Sequence, residues 1–186
     1  MSQLPETMES WVKSKAEIGG FELVNNKLPK PKSNEVLVKT HSTSICGTDI
    51  HIWKWDDWAR ENVPLGTITG HETCGTVVGI GEGVTSHKIG DKIAVECHLA
   101  CWNCDRCEEG NAHICENGEI FGVHKNGSFA PYFVVPHQNA RHIPDNLPLE
   151  LASIQDPLGN AIHTLTGGPV ENSTVAIHGL GPIGLF

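Results

Sequence analysis

Short Val- and Ile-rich runs separated by Gly, Pro, Asn and Asp mark most of the chain. Apolar and polar residues alternate over Phe21-Glu22-Leu23-Val24, which predicts a strand turning at Asn25-Asn26. Pro29-Lys30-Pro31-Lys32-Ser33 predicts an extended connector, because each proline biases its predecessor away from helix. Val36–Thr40, Gly75–Ile80, Lys92–Val95 and Ala130–Val135 read as further strands, punctuated by Gly81-Glu82-Gly83 and Gly90-Asp91. Strands at this spacing predict a small barrel or sandwich, mainly β with short helices.

The pattern changes near Pro148. Leu149–Ile154 opens a helical stretch that runs through Ala161–Leu165 and ends at Gly167-Gly168-Pro169. Thr174-Val175-Ala176-Ile177-His178 has the character of a parallel strand buried on both faces. It leads into Gly179-Leu180-Gly181-Pro182-Ile183-Gly184. Such a strand needs neighbours on both sides, and none follows Phe186. The expectation is a second domain cut off after its first strand and loop, rather than a terminal strand capping the barrel.

Composition narrows the function. The chain has 186 residues, 39% of them hydrophobic, enough for a buried core. Its formal net charge of -9 argues against a general nucleic-acid binder, which needs a basic face. No apolar run is long enough to cross a bilayer, and Met1-Ser-Gln-Leu-Pro-Glu-Thr lacks a secretory signal pattern, so neither a membrane nor export is expected. The 7 cysteines are an odd number, and four fall in Cys101-x2-Cys104-x2-Cys107-x7-Cys115. That cluster reads as a metal site in the reducing cytoplasm, not a disulfide framework. Four thiolates at this spacing fit one tetrahedral Zn²⁺, in preference to an iron–sulfur cluster. With a full shell the site is structural.

A second group is scattered. Cys46 lies in Ser44-Ile45-Cys46-Gly47-Thr48-Asp49-Ile50-His51, His71 and Glu72 in Gly70-His71-Glu72, and Asp156 before Pro157. From spacing alone a buried thiol and ordinary core or surface residues are favoured over a second metal site.

Taken in order, Cys-Gly-Thr-Asp-x-His, Gly-His-Glu, the four-cysteine lobe, Asp-Pro-Leu-Gly-Asn-Ala and Gly-x-Gly-Pro-Ile-Gly resemble the zinc-dependent medium-chain alcohol dehydrogenase family. The resemblance covers the chain from about Val36 onward. It implies a GroES-like β-barrel catalytic domain over residues 1–157, with a zinc lobe at 97–116. Residues 158–186 are then a linking helix plus the first strand and Gly-rich loop of a truncated Rossmann domain. It implies two zinc ions: a structural one on Cys101, Cys104, Cys107 and Cys115, and a catalytic one on Cys46, His71 and Asp156, with Glu72 adjacent as an exchangeable ligand or neighbour. It implies NAD at Gly179, Gly181 and Gly184, although the acidic residue that tells NAD from NADP lies about 20 residues past such a loop. Thr48 and His51 are implied as a proton relay, and His98 is the candidate for touching substrate. His51-Ile52-Trp53-Lys54-Trp55-Asp56-Asp57-Trp58 and Gln155-Asp156-Pro157 are similar to the L-threonine 3-dehydrogenase branch.

The resemblance implies a cytoplasmic homo-oligomer that oxidises the secondary alcohol of a small molecule or amino acid, L-threonine, to 2-amino-3-oxobutanoate. The 186-residue chain alone is expected to turn over little. A polyol or simple secondary alcohol is the alternative substrate, and a non-enzymatic zinc-binding β-barrel the alternative class. Two departures stand out. Pro131 occupies a place usually acidic in the family and removes a backbone donor, putting strand pairing there in doubt. Cys97 is unusual near the expected cleft and reads as an inert buried thiol rather than a stray ligand, and Cys74 as core.

Overall fold

The computed structural model describes residues 4–186. In chain order the elements are β1 (Thr7–Lys13), β2 (Phe21–Lys27), β3 (Glu35–Thr43), α1 (Gly47–Lys54), α2 (Asp57–Asn62), β4 (Thr67–Ile68) and β5 (Thr73–Ile80). Then follow β6 (Lys92–Val95), β7 (His98–Leu99), α3 (Asp105–Glu108), β8 (Glu119–Ile120), β9 (Tyr132–Pro136), β10 (Ala140–His142), α4 (Leu149–Ala152), α5 (Gln155–Leu165) and α6 (Pro182–Leu185). Five strands form an antiparallel sheet in the order β10-β6-β5-β3-β9, and a second sheet has the order β2-β1-β4. A third, of β7 and β8 only, roots the cysteine lobe.

The central strand is β3, paired with β5 on one side and β9 on the other. Its register against β5 slips between Leu37 and Val38 and again between Thr40 and Ser42. Such bulges bend the sheet so that it can wrap a core. That core is Val36, Val38, Val77, Ile93, Val95, Phe121, Phe133 and Val135, with Cys97 and Ala140 at one end. Helices α1 and α2 add a smaller cluster of Ile52, Trp55, Ala59 and Val63 against Val123.

Three sequence expectations change. The strand expected to turn at Asn25-Asn26 runs on to Lys27, with Asn25 paired to Glu9 and Asn26 to Met8 along β1. The single helix expected over 149–165 is two, broken at Ser153-Ile154. Pro157 explains the break, since in a continuous helix it would cost an interior hydrogen bond and clash with the preceding turn. Restarting at Gln155 places Pro157 in the first turn, where no intrahelical donor is needed. The Thr174–His178 run is irregular and unpaired instead of a buried strand, with Val175 51% and Ile177 62% exposed. A strand is held by ladder bonds and by apolar cover, and the described residues supply neither here.

At Pro131 the doubt resolves in favour of pairing. Strand β9 starts one residue later, and Pro131 contributes only its carbonyl, which accepts the Thr40 N–H at 2.9 Å.

Lys13 is fully buried at the end of β1. Its Nζ donates to the carbonyls of Glu17 and Gly19, both at 2.7 Å, and lies 4.8 Å from the Trp55 ring centroid. Burial pulls the ammonium below its ordinary pKa, partly offset by Glu17. Lys13→Met keeps the stem but strands two carbonyls. It is expected to lower unfolding free energy by about 2–3 kcal/mol, read from urea denaturation midpoints.

Candidate metal and proton-transfer site

Cys46 sits where β3 gives way to α1, at the N-cap of that helix. Asp49, three residues on, accepts the Cys46 N–H at 2.9 Å and so fixes the start of the helix. His71 and Glu72 stand just before β5. The Glu72 carbonyl accepts from Ser44 N–H at 2.8 Å and from the Thr43 hydroxyl at 3.0 Å, which ties this segment to the end of β3. Two strand ends held together in this way bring Cys46, His71 and Glu72 into one group, whose ligating atoms lie within 4.8 Å of one another.

Three close glycines shape the approach of His71. The Ser128 N–H donates to the Gly70 carbonyl at 2.9 Å. A Cβ on Gly127 would stand 2.1 Å from that carbonyl oxygen, and one on Gly122 would stand 2.3 Å from it. The loop of residues 122–129 can press against Gly70 only because both lack side chains.

His71 and Glu72 are buried and Cys46 is half-buried. Burial pulls the His71 imidazole down, but its hydrogen bond with Cys46 and the charges of Asp49, Cys46 and Asp156 outweigh this and set it above its usual value. Glu72 is raised chiefly by burial, against the pull of Cys46 and His71. Asp49 is raised by burial too. His71 Nδ1 and Asp49 Oδ1 are both buried without a hydrogen-bond partner among the described residues. Asp49 had no assigned part in the sequence reading. Its signal was the capping spacing of Cys46-x-x-Asp49, which is also the spacing that aims one of its oxygens inward.

Asp156 is brought to the edge of this group in the first turn of α5, and the break just before that helix is anchored through Ser44 Oγ donating to Ser153 Oγ at 2.8 Å. Its carboxylate Oδ1 accepts the Cys97 N–H at 3.1 Å. Its ligating oxygen belongs to a different close group, with Glu96, Cys97 and His98. Cys97 is buried in the sheet core and Cys74 is fully buried, as expected for both. His98 is about half exposed, and its Nδ1 meets Glu96 Oε1 at 2.6 Å. That bond raises the His98 pKa.

Thr48 and His51, one helical turn apart on α1, line a cleft of about 500 Å³ together with Asp56 and Trp58. Thr48 Oγ1 is 3.7 Å from Cys46 Sγ. His51 Nδ1 meets Asp56 Oδ2 at 2.5 Å, and this bond holds Asp56 below the usual carboxylate range.

The four sulfurs of Cys101, Cys104, Cys107 and Cys115 also form one group, free of disulfides. Three of their separations are 3.4, 3.6 and 3.8 Å. A regular tetrahedron of thiolates around zinc at ~2.3 Å has an edge of about 3.8 Å, so the four side chains fit such an ion. The backbone N–H of Asn103 pulls the Cys101 thiol down to about 6, while burial pushes Cys107 up to about 12.

In the Gly-rich turn, Gly179 has φ +95°, in the left-handed region, and a Cβ on Gly184 would stand 2.1 Å from the Gly179 carbonyl. A Cβ on Gly181 would meet nothing within 4 Å. One glycine makes the turn, one closes the packing and one leaves the surface open.

A bulged antiparallel sheet with a four-thiol lobe and a Cys–His–Glu group at its strand ends defines a GroES-like domain of alcohol dehydrogenase type. Residues 32–145 match the alcohol dehydrogenase GroES-like domain, and the chain belongs to that family. It is 46% identical over 183 residues to the L-threonine 3-dehydrogenase of Pyrococcus furiosus, covering 98% of this chain and 52% of the relative. It is 49% identical over 167 residues to the L-threonine 3-dehydrogenase of Caldanaerobacter subterraneus subsp. tengcongensis, covering 90% and 48%. The chain spans about half the length of these curated relatives.

Among solved structures it resembles an alcohol dehydrogenase of E. coli CFT073 complexed with NADH, at TM-score 0.87 and 33% identity, over 97% of this chain and 52% of that one. It also resembles the galactitol-1-phosphate dehydrogenase of Escherichia coli, at TM-score 0.77 and 27% identity, over 86% and 44%.

Proposed function

We propose that this chain is the catalytic-domain part of a zinc- and NAD-dependent dehydrogenase that oxidises the secondary alcohol of L-threonine to 2-amino-3-oxobutanoate. The observation that carries the reading is the convergence of half-buried Cys46 with buried His71 and Glu72 beside the cleft of Thr48 and His51. The relatives named L-threonine 3-dehydrogenase support the substrate.

Cys46 and His71 would hold the zinc, with Glu72 in the group and Asp156 at its edge as the carboxylates. A zinc ion there supplies Lewis acidity that makes a substrate hydroxyl a stronger acid. The imidazole binds in its neutral form, and the buried carboxylates offset the ion's charge. The Gly179–Gly184 turn matches the division of labour in a dinucleotide loop, with Gly181 open where a pyrophosphate approaches. NAD bound there supplies the hydride acceptor. The reading places the catalytic domain at residues 1–157 and the start of a cofactor-binding domain at 158–186.

Proton movement falls to the chain itself. Thr48 carries a hydroxyl that both accepts and donates. Asp56 holds the His51 ring through Nδ1, so Nε2 is the ring nitrogen left to exchange a proton with the cleft. Protons thus pass from Thr48 to His51 and out through an open cleft. His51→Gln in the complete protein is expected to lower kcat on the order of 10²-fold, read from initial rates.

A second substrate reading, a polyol, is favoured by the likeness to the galactitol-1-phosphate dehydrogenase. The complete reading frame, assayed with NAD on threonine, sorbitol and 2,3-butanediol, separates the two. Threonine is expected to give the highest kcat/KM and Cys46→Ser to abolish it. Activity that survives Cys46→Ser overturns the proposal.

A further inference from the structure

Lys13 is the only buried lysine or arginine among the described residues, and it has no part in the chemistry proposed above. Its Nζ carries three N–H donors. Two go to the carbonyls of Glu17 and Gly19, and the ammonium lies 4.8 Å from the Trp55 ring centroid and 5.3 Å from that of Phe21. The ring faces attract a charge held this close. Gly19 and Gly20, at φ +71° and +59°, let residues 14–20 fold back over the ammonium. A Cβ on Gly20 would stand 2.5 Å from the Lys15 carbonyl oxygen and 3.0 Å from Nζ itself. The loop gathered in this way gives its Gly19 N–H to the Trp53 carbonyl at 2.8 Å. That carbonyl is one of those the end of α1 leaves without an intrahelical donor.

The corner between α1 and α2 is strained. Trp55, the C-cap of α1, has φ 54° and ψ 45°, a left-handed conformation that a bulky side chain rarely adopts. Such a residue persists only where its surroundings hold it. Trp55 is held by Ile52, Ala59, Val63 and Val123, and by the Lys13 ammonium over its ring. The turn reverses the chain within one residue. Asp56 follows in extended conformation, caps α2 by accepting the Ala59 N–H at 3.1 Å, and meets His51 Nδ1 with its other oxygen. Were Trp55 right-handed, α1 would run on and set Asp56 about 140° around the helix from His51, off its face.

We propose that Lys13 is a positioning residue for the proton relay. Its ammonium fixes the left-handed Trp55 turn, over the ring and through the Gly19–Trp53 bond, and so keeps Asp56 on His51 Nδ1. The part in catalysis rests on the reading of His51 as the outer group of the relay. The link from Lys13 to His51 belongs to the fold and is measured without turnover.

The test uses the zinc-loaded chain and the ring ¹⁵N shifts of His51, read through its carbon-bound protons at a pH above the ordinary histidine range. His51→Gln assigns the signals. An ionised carboxylate only accepts, so Asp56 holds His51 as the Nδ1–H tautomer. The parent is expected to show that tautomer and Asp56→Ala to lose it. Lys13→Met keeps the stem without the charge, and the same loss is expected. Trp55→Leu spares both carbonyl bonds of Lys13 but offers no ring, and it decides the matter should Lys13→Met not fold. Val135→Ala thins the sheet core instead, so it controls for lost stability and is expected to leave His51 unchanged. An unchanged tautomer in folded Lys13→Met or folded Trp55→Leu overturns the proposal, as does an equal loss in Val135→Ala. Global unfolding of both Lys13→Met and Trp55→Leu also overturns it, since Lys13 and Trp55 then hold the whole fold and not this corner. If His51→Gln leaves kcat of the complete protein intact, the relay reading fails while the dependence of His51 on Lys13 still stands.

Discussion

Cys104→Ser is expected to unfold residues 98–120 while the five-stranded sheet stays folded. The lobe has almost nothing else to hold it. Neither α3 nor the 3-10 turn at Ala112–Ile114 contains a buried residue, and Trp102 and Ile114 are about half exposed. Apart from the two ladder positions of β7 and β8, the packing of Leu99 and Ile120 on the sheet core at its root and the bond from Asn139 Nδ2 to the His98 carbonyl, its order rests on local turns and on the four sulfurs. Metal binding to such a set supplies folding energy directly, on the order of 10 kcal/mol in isolated zinc modules. Replacing one thiolate by a hydroxyl forfeits most of that. The sheet core, centred on Val36, Val38, Val77 and Phe133, shares no side chain with the cysteine group and keeps its own stabilisation. Hydrogen exchange resolved by peptide, with zinc measured by mass spectrometry, reads both parts. The expected result is lost protection at 98–120, unchanged protection at 35–43 and 73–80, and one fewer zinc per chain. A strong chelator should reproduce it. Full protection of the lobe after complete zinc removal would mean that its fold does not come from the metal.

The lobe was legible from spacing alone because ligands to one ion must be close in space, and short spacing makes them so. Strands β3, β5 and β6 were legible for a related reason: their cores are runs of Val and Ile that satisfy a half-buried sheet in any context. Strand β1 went unread. Its inward positions are Met8, Ser10 and Val12, and the polar Ser10 together with Lys13, buried next to Val12, hides the alternation that would have marked it. Helix α1 was equally hidden, since Ile50 and Trp53 leave an apolar face in solvent. The Cys46 group depends on β3–β5 register, with Thr43 opposite Thr73. No local pattern encodes that pairing, and only resemblance to a family suggested it. Cys97 illustrates the opposite difficulty. Its burial matched expectation, yet its neighbours Glu96, His98 and Asp156 make it part of a polar group that no linear reading could assemble.

Gly127→Ala should be among the most damaging single-methyl additions in the chain, and it should act on the site as well as on stability. The added Cβ would lie 2.1 Å from the Gly70 carbonyl oxygen and 2.5 Å from the Gly122 Cα, both backbone atoms. No side-chain rotation relieves that contact, so the 122–129 loop must move away from the strand segment. Such movement breaks the bonds from Gly127 N–H to Ile68 O and from Ser128 N–H to Gly70 O. Overpacking with backbone displacement costs about 3 kcal/mol, and each buried bond lost adds about 1 kcal/mol. Gly70 directly precedes His71, so the displacement is passed to one corner of the Cys46 group. The expected outcome is a urea midpoint lowered in proportion, with the m-value unchanged, and cobalt affinity at the Cys46 group weakened by at least about tenfold while the four-cysteine ion is retained. Gly47→Ala is the control, because a Cβ there meets nothing within 4 Å although the residue adjoins Cys46. If both variants weaken cobalt equally, proximity to the ligands and not the glycine packing beneath His71 sets the geometry of the group.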